Sequence, residues 1–514
     1  MSIVEKSIFL YNATVITMEI SMPRASWVYV EGSIIRSVGS GALPKHLIGS
    51  NTQLIDCQGM TIIPGFNDAH IHIFATASNS IGVDCGYNLV SSITDIGQRL
   101  KEKADKVTSD VWVKGFGYHE FNLIEKAHPT RWDLDNWVPH HPVRLRHSSG
   151  HAIVLNSKAL ALVGIDKTTA DPVYGVIDRF EDTGEPTGLL LEMNEYLEGK
   201  IPPPHEHEIN RGLTDFNRNC IQMGITSLQD ANPMNSLEDW NAFLSKVNEK
   251  IIEPDVRMMV SINAVEEFIS EGLLFGSSAG SLTLSSVKIM SGLTTGALYP
   301  PTEELENKIR YAGENGFQVA IHGVEAEVNS EIVRLMYKSR ASFGILSNRI
   351  EHLSECPPEL IADIYKQKIT VVTQPGFIYY RGDKYKEEIP VNRQEWLYRI
   401  GSLHNAGVKI GIGSDSPVIP INPMYSIYSA ITRKTASGNV LNVKEAVSVE
   451  DIIKMYTLGS AYAGNEDKIK GSIKPGHKAD LIVLDSDPTV VDYELIKSIK
   501  NVMTIVSGEV LWQG

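Results

Sequence analysis

Between residues 64 and 465 the chain repeats one pattern eight times: a short apolar run, then a longer polar or amphipathic stretch. The runs are Ile62–His72, Ile225–Asp230, Val256–Ile262, Val287–Ser291, Gln318–His322, Arg349–His352, Thr370–Gln374 and Val408–Gly413. Stretches between them, such as Thr302–Asn315, Ala326–Ser339 and Asn392–Ala406, have helical character. Near-continuous apolar strands separated by helices mark a parallel sheet covered on both faces. Eight such units predict an α/β fold, a (β/α)8 TIM barrel with its working residues at the C-terminal strand ends. A doubly wound open sheet is the alternative, and neither GxGxxG nor GxxxxGK[ST] is present to favour it.

The two ends resemble each other. Trp27–Val38 and Met503–Trp512 each read as two β runs around a turn, Glu31-Gly32 in one and Ser507-Gly508 in the other. Ser7–Met18, Gln53–Ile63 and Ala479–Leu484 add further strands. The expected organisation is a small β-sandwich domain built from residues 1–63 and 466–514, with the barrel over 64–465 between them. Residues 75–223 are too many for a βα connection. They hold their own β-like stretches and a Pro202-Pro203-Pro204 run, and read as a large subdomain inserted after barrel strand 1, over its C-terminal end. Such an insertion is expected to shape a substrate pocket and exclude water.

Composition narrows the partners. The chain has 514 residues and a formal charge of −15, which argues against nucleic acid or an anionic membrane surface. No apolar run approaches the ~18 residues of a membrane span. The first residues read as a mature strand, not a signal peptide. Four cysteines without CxxC spacing suit a reduced, cytoplasmic protein. The expected partner is a small-molecule substrate, and a homodimer is the assembly this reading allows.

The chemistry concentrates at the strand ends. In Pro64-Gly65-Phe66-Asn67-Asp68-Ala69-His70-Ile71-His72, the two histidines share one strand face and can bind one divalent metal through neutral nitrogen. His322, His352 and Asp415 each close a different apolar run. Read singly, each is a hydrogen-bonded strand-end residue. As a set on strands one, five, six and eight they point to a shared metal, which removes the desolvation cost of all of them together. Lys288 lies inside the apolar run Ser286–Met290. A buried ammonium needs a partner. Lys288 is therefore either ion-paired or snorkelling, or its amine has become a carbamate able to bridge two metals.

This ordered set resembles the amidohydrolase superfamily, and in particular its N-substituted formamide deformylase-like branch of metal-dependent hydrolases. The likeness covers nearly the whole chain through PGFNDAHIHI (64–73), HPVRLRHSSGHAIVLNSKAL (141–160), TGEPTGLLLE (183–192), GITSLQDA (224–231), VKIMSG (287–292), RIEHLS (349–354), GSDSPV (413–418) and KGSIKPGHKADLIVLDSDP (470–488). The resemblance implies one or two divalent ions, zinc first among them. His70, His72 and Asp415 would hold one, and His322 and His352 the other. Lys288, as a carbamate, would bridge them. It implies a substrate-side role for His151, which read alone is a turn histidine. Trp112, Phe116, Tyr118 and Phe121 are aromatic candidates for an apolar substrate group, or packing residues of the inserted segment.

Two positions depart from the family pattern. Met290-Ser291-Gly292-Leu293 stands where Asp-Gly usually follows the lysine, and His322-Gly323-Val324-Glu325 where Gly-Asp usually follows the histidine. His-x-x-Glu is similar to mononuclear deaminases of the superfamily, where the glutamate shuttles a proton. Glu325 is equally a carboxylate suited to a helix N-terminus. The expected reaction is hydrolysis of a C–N bond in an amide, N-substituted formamide or cyclic amide by metal-activated water, with Asp415 as base and then acid. The alternatives are a mononuclear deaminase of an aminated heterocycle and a non-catalytic binding or regulatory barrel.

Overall fold

The computed structural model describes residues 6–42, 44–86, 89–109, 111–172, 175–202, 206–294, 296–342 and 347–514. All eight runs contribute to one parallel sheet. Its strands are β1 (Phe66–Ile71), β2 (Ile225–Asp230), β3 (Asp255–Ser261), β4 (Leu282–Ile289), β5 (Val319–Gly323), β6 (Arg349–His352), β7 (Thr370–Thr373) and β8 (Ile410–Ile412). Neighbours in the sheet follow chain order. Beyond the end of β8 the chain returns to β1: the Asp415 amide donates to the His70 carbonyl at 2.7 Å, and the His72 amide to the Ser416 carbonyl at 2.9 Å. The fold is a TIM barrel joined at the residues the sequence marks as ligands.

The first run does not form one strand. Thr61–Pro64 pairs with Leu481–Leu484 and Thr14–Ile16, and only after Gly65 does the chain enter the barrel. A Cβ on Gly65 would lie 2.2 Å from Thr226 Oγ1, so the crossing between sheets needs glycine. Gly413 has the same duty at the other edge. Its Cβ would fall 2.7 Å from both N and Cβ of His70.

The expected helix over 392–406 is also interrupted. Val391–Gln394 and Ile400–Asn405 are helical. Between them Trp396 O accepts from the Cys356 amide at 2.9 Å, and the Tyr398 amide donates to Ser354 O at 2.8 Å. Pairing with the segment that follows β6 overrides the local helical preference. Thr302–Glu314 and Ala326–Lys338 are helices as expected.

Strands from both termini build two sheets. One has the order Ile34–Gly39, Trp27–Glu31, Ser7–Tyr11, Thr52–Asp56. The other runs Glu509–Gln513, Asn501–Val506, Leu481–Leu484, Thr61–Pro64, Thr14–Ile16, Arg24–Ala25. Ile8, Leu10, Val28 and Val30 of the first pack with Ile62, Leu481, Val483 and Ile505 of the second in one apolar core. Each such buried side chain stabilises the fold by about 1.5–3 kcal/mol.

The chain divides into two compact units. The first comprises Met1–His72, Asn217–Ser416 and Pro420–Gly514; the second comprises Ile73–Phe216 and Pro417–Ile419. The second unit has its own six-stranded sheet, ordered Val176–Arg179, Pro186–Leu191, Ala152–Leu155, Val143–His147, Val113–Tyr118, Val83–Asp84. Its core includes Leu100, Val113, Leu134, Leu145 and Val154. Of the turn-rich stretches marked in the sequence, Tyr174, Pro203 and Pro204 lie outside the described residues. Among the described residues no helix is long and apolar enough to cross a membrane.

Candidate metal centre

Strand alternation places Asp68, His70 and His72 at every second position of β1 and its extension. Asp68 Oδ1 accepts from the amides of Ser414 at 2.9 Å and His70 at 3.2 Å, so this carboxylate holds the post-β8 turn beside β1. Burial pushes the Asp68 carboxyl up to about 7, against the pull of those hydrogen bonds. With Asp415 N–H bonded to His70 O, the side chains of these two residues meet.

Asp415 Oδ1 lies 3.4 Å from His70 Nε2 and 3.2 Å from His72 Nε2. Donor atoms of these three residues all lie within 4.8 Å of one another. His352 Nδ1 is 4.0 Å from Asp415 Oδ2, and its ring lies 4.7 Å from that of His70 and 4.5 Å from that of His322. The structure therefore gathers His70, His72, His322, His352 and Asp415 at one end of the barrel. His352 (φ 70°), Leu353 (φ 45°) and Asp415 (φ 56°) are all left-handed. Such conformations cost of order 1–3 kcal/mol each in non-glycine residues and cluster at functional sites.

The electrostatics fit a cation. His70 Nδ1 contacts Glu351 Oε2, an acceptor, so Nδ1 carries the proton. Burial, with Lys288 and His352 nearby, holds His70 well below the usual histidine range, so it is neutral. Its Nε2 lone pair then faces the Asp415 carboxylate. Two acceptors facing at 3.4 Å are stable with a positive ion shared between them. Burial would raise Asp415, but its contact with His72 outweighs it and keeps the carboxyl well below its ordinary range. His352 Nδ1 lies 2.9 Å from Gln374 Oε1, which leaves its Nε2 as a second lone pair.

Lys288 is buried, and its Nζ has no hydrogen-bond partner among the described residues. Burial pushes the amine down to about 8, although Glu351 and Asp415 pull the other way. An orphaned amine beside the histidines is the arrangement a bridging carbamate would complete. Glu325 sits at the N-cap of helix Ala326–Lys338, yet its side chain makes no cap hydrogen bond, and its buried Oε2 has no partner among the described residues. It is thus helix-terminal by position but not engaged there.

The remaining predicted site residues belong to the second unit. His151 is largely exposed and bonds Glu192 at 2.9 Å. Tyr118 is buried with its hydroxyl 2.9 Å from His128 Nδ1. Trp112 lines a cavity of 530 Å³ together with Phe116, Lys114, Arg144 and Arg146.

Sequence reasoning passed over Glu351, Arg349, Asp68 and Gln374. Arg349 and Glu351 are fully buried on β6, with Nε to Oε1 at 2.5 Å. Arg349 also donates to Gln229 Oε1 at 2.6 Å and Ala69 O at 2.7 Å. The signal was available: charged residues two apart on an apolar strand, the same anomaly that marks Lys288.

A model of the amidohydrolase family matches residues 53–512. The chain is similar to YtcJ of Bacillus subtilis (strain 168), at 28% identity over 517 residues, covering 95% of this chain and 96% of that protein. It is similar also to the N-substituted formamide deformylase of Arthrobacter pascens, at 26% identity over 543 residues and 98% of each chain. Among solved structures, an uncharacterized metal-dependent hydrolase from Pyrococcus horikoshii OT3 shares the fold, with a TM-score of 0.77 and 23% identity over 95% of this chain and 99% of that one.

Proposed function

We propose, from the premise that this chain belongs to the amidohydrolase family, that it is a metal-dependent hydrolase cleaving a C–N bond of an amide, N-substituted formamide or cyclic amide. The observation that carries this reading is the His70 Nε2 lone pair facing Asp415 Oδ1, with the other ring nitrogen committed to Glu351. The substrate class leans on the similarity along the full chain to a protein named for formamide deformylation.

In this reading His70, His72 and Asp415 would hold one divalent ion, and His322 and His352 would hold a second, zinc by ligand type. Lys288, its neutral amine having added carbon dioxide and released a proton, would supply a further anionic oxygen ligand. When bound, such ions supply Lewis acidity, which lowers the pKa of water from 15.7 toward about 7 and polarises a carbonyl. Asp415 takes a proton from the attacking water and delivers it to the departing nitrogen. The water oxygen ends on the acyl carbon, and the C–N electron pair leaves with the protonated amine. Glu351 keeps His70 in the tautomer that presents Nε2.

One observation favours a second reading. Glu325 Oε2, buried with no hydrogen-bond partner among the described residues, could pass a proton to a ring nitrogen, as a deaminase of an aminated heterocycle requires. A single assay separates these. Zinc-loaded protein is offered N-substituted formamides, amides, cyclic amides and aminated heterocycles, and released amine and ammonia are measured separately. Amine release that falls on the order of 10²–10⁴-fold in Asp415→Asn supports the hydrolase. Ammonia release from heterocycles, abolished in Glu325→Gln, supports the deaminase. No turnover by metal-loaded protein contradicts both and favours a binding barrel.

A further inference from the structure

We infer that the second unit carries a divalent-cation site of its own, formed by His119, Glu120 and His147, with His128 as the fourth donor. The site shares no residue with the barrel centre and does not depend on the hydrolase reading.

The fold fixes these side chains. Val113–Tyr118 and Val143–His147 are neighbouring parallel strands, with Tyr118 opposite His147 at their C-terminal ends. His119 and Glu120 follow directly on the first strand, and His147 ends the second. Three imidazoles converge on a single carboxylate oxygen. Glu120 Oε2 is 3.2 Å from His119 Nδ1, 2.9 Å from His147 Nε2 and 3.8 Å from His128 Nε2. Donor atoms of His119, Glu120 and His147 lie within 4.8 Å of one another, the spacing also seen for His70, His72 and Asp415. His119 and His147 are 5% and 6% exposed, while Glu120 and His128 are each 27% exposed, so the cluster is half-buried with two imidazoles in the interior.

The outer contacts orient the nitrogens for a cation. His147 Nδ1 lies 2.7 Å from Ser149 Oγ, and His128 Nδ1 lies 2.9 Å from the Tyr118 hydroxyl. The Tyr118 hydroxyl oxygen can accept, so His128 can keep its proton on Nδ1 and turn an Nε2 lone pair toward Glu120. Metal-bound histidines are held in this way by an acceptor on the far nitrogen. His147 Nδ1 accepts from the Ser149 amide at 3.1 Å, so its Nε2 carries a proton that a cation would displace. His119 Nδ1 accepts from the Phe121 amide at 3.2 Å, so its lone pair already lies on that nitrogen, and a cation would take it over. His119 Nδ1 and Glu120 Oε2 are then two acceptors facing each other at 3.2 Å. A cation bound to both removes the mismatch. Three nitrogens and one carboxylate suit a first-row divalent ion such as zinc. Its role there would be to pin the ends of two adjacent strands.

The test uses the full chain saturated with Zn(II) and then desalted. Metal per chain is measured for wild type, His119→Asn/His147→Asn and His70→Asn/His72→Asn. The first variant is expected to bind one equivalent less than wild type, and the second to retain at least one. An anomalous difference map of zinc-loaded wild-type crystals is expected to show a peak about 2.0–2.2 Å from donor atoms of Glu120, His119 and His147. A His119→Asn/His147→Asn protein with native circular dichroism and unchanged metal content overturns the site. So does a zinc-loaded map without a peak at Glu120, which decides the matter alone if that variant fails to fold.

Discussion

Glu351 receives the Nδ1 proton of His70 on one carboxylate oxygen while Arg349 holds the other at 2.5 Å. The carboxylate stands behind His70, fully buried, and sets which nitrogen of that ring faces Asp415. Glu351→Gln should therefore weaken metal binding by about 10–100-fold without removing any ligand. Equilibrium dialysis against a competing chelator measures this. Unchanged affinity would mean that Glu351 serves only to neutralise Arg349.

Lys288 separates a ligand precursor from a structural ion-pair partner. Its Nζ is buried without a hydrogen bond among the described residues. Lys288→Met removes that donor at similar volume, so the metal-free protein should become more stable by about 1–3 kcal/mol, the cost of an unsatisfied buried group. Bound metal per chain should fall at the same time. Urea melts of metal-free protein give the first quantity. A destabilised variant would show that the amine pairs with Glu351 or Asp415 in the folded state.

Asp255 opens β3 between two lysines. It contacts Lys470 and bonds Lys478 at 2.7 Å, with Lys470 only 4% exposed. Burial would raise Asp255, but Lys470 and Lys478 outweigh it and lower its pKa. A carboxyl depressed in the fold contributes stability that is complete above its unfolded pKa of about 3.9 and lost as pH falls through the folded value. Asp255→Asn should cost about 3 kcal/mol at pH 7. That difference should shrink as pH drops below about 4, read from paired urea melts across pH. A constant difference down to pH 2 would contradict it.

Gly413 tests the seam of the barrel. Gly413→Ala places a methyl 2.7 Å from His70 backbone and side-chain atoms, so β8 or His70 must shift. We expect a loss of about 1–3 kcal/mol together with weaker metal binding. Loss of stability with native metal affinity would show that the strain is absorbed away from His70.

The fold was legible because its signals are periodic and local. Eight apolar runs and two terminal hairpins fix strand identity, and ligand-type residues at run ends mark the end where these side chains gather. Where one run serves two sheets, apolar pattern alone cannot locate the break at Gly65, because both halves are buried. The helix expected over 392–406 failed because Trp396 and Tyr398 pair with a strand-end segment some forty residues away in sequence. The gathering of His70, His72, His322, His352 and Asp415 could be read from residues of ligand type at the run ends. Glu351 and Asp68 were harder, since each acts through a partner, His70 or Ser414, that only the closed barrel brings near.

The central claim is that His70, His72 and Asp415 share one cation. Anomalous diffraction at the zinc edge from zinc-loaded crystals tests it most directly. The expected map holds a strong peak within about 2.0–2.2 Å of both imidazoles and the carboxylate. A fully loaded crystal with no peak among those three side chains would contradict it.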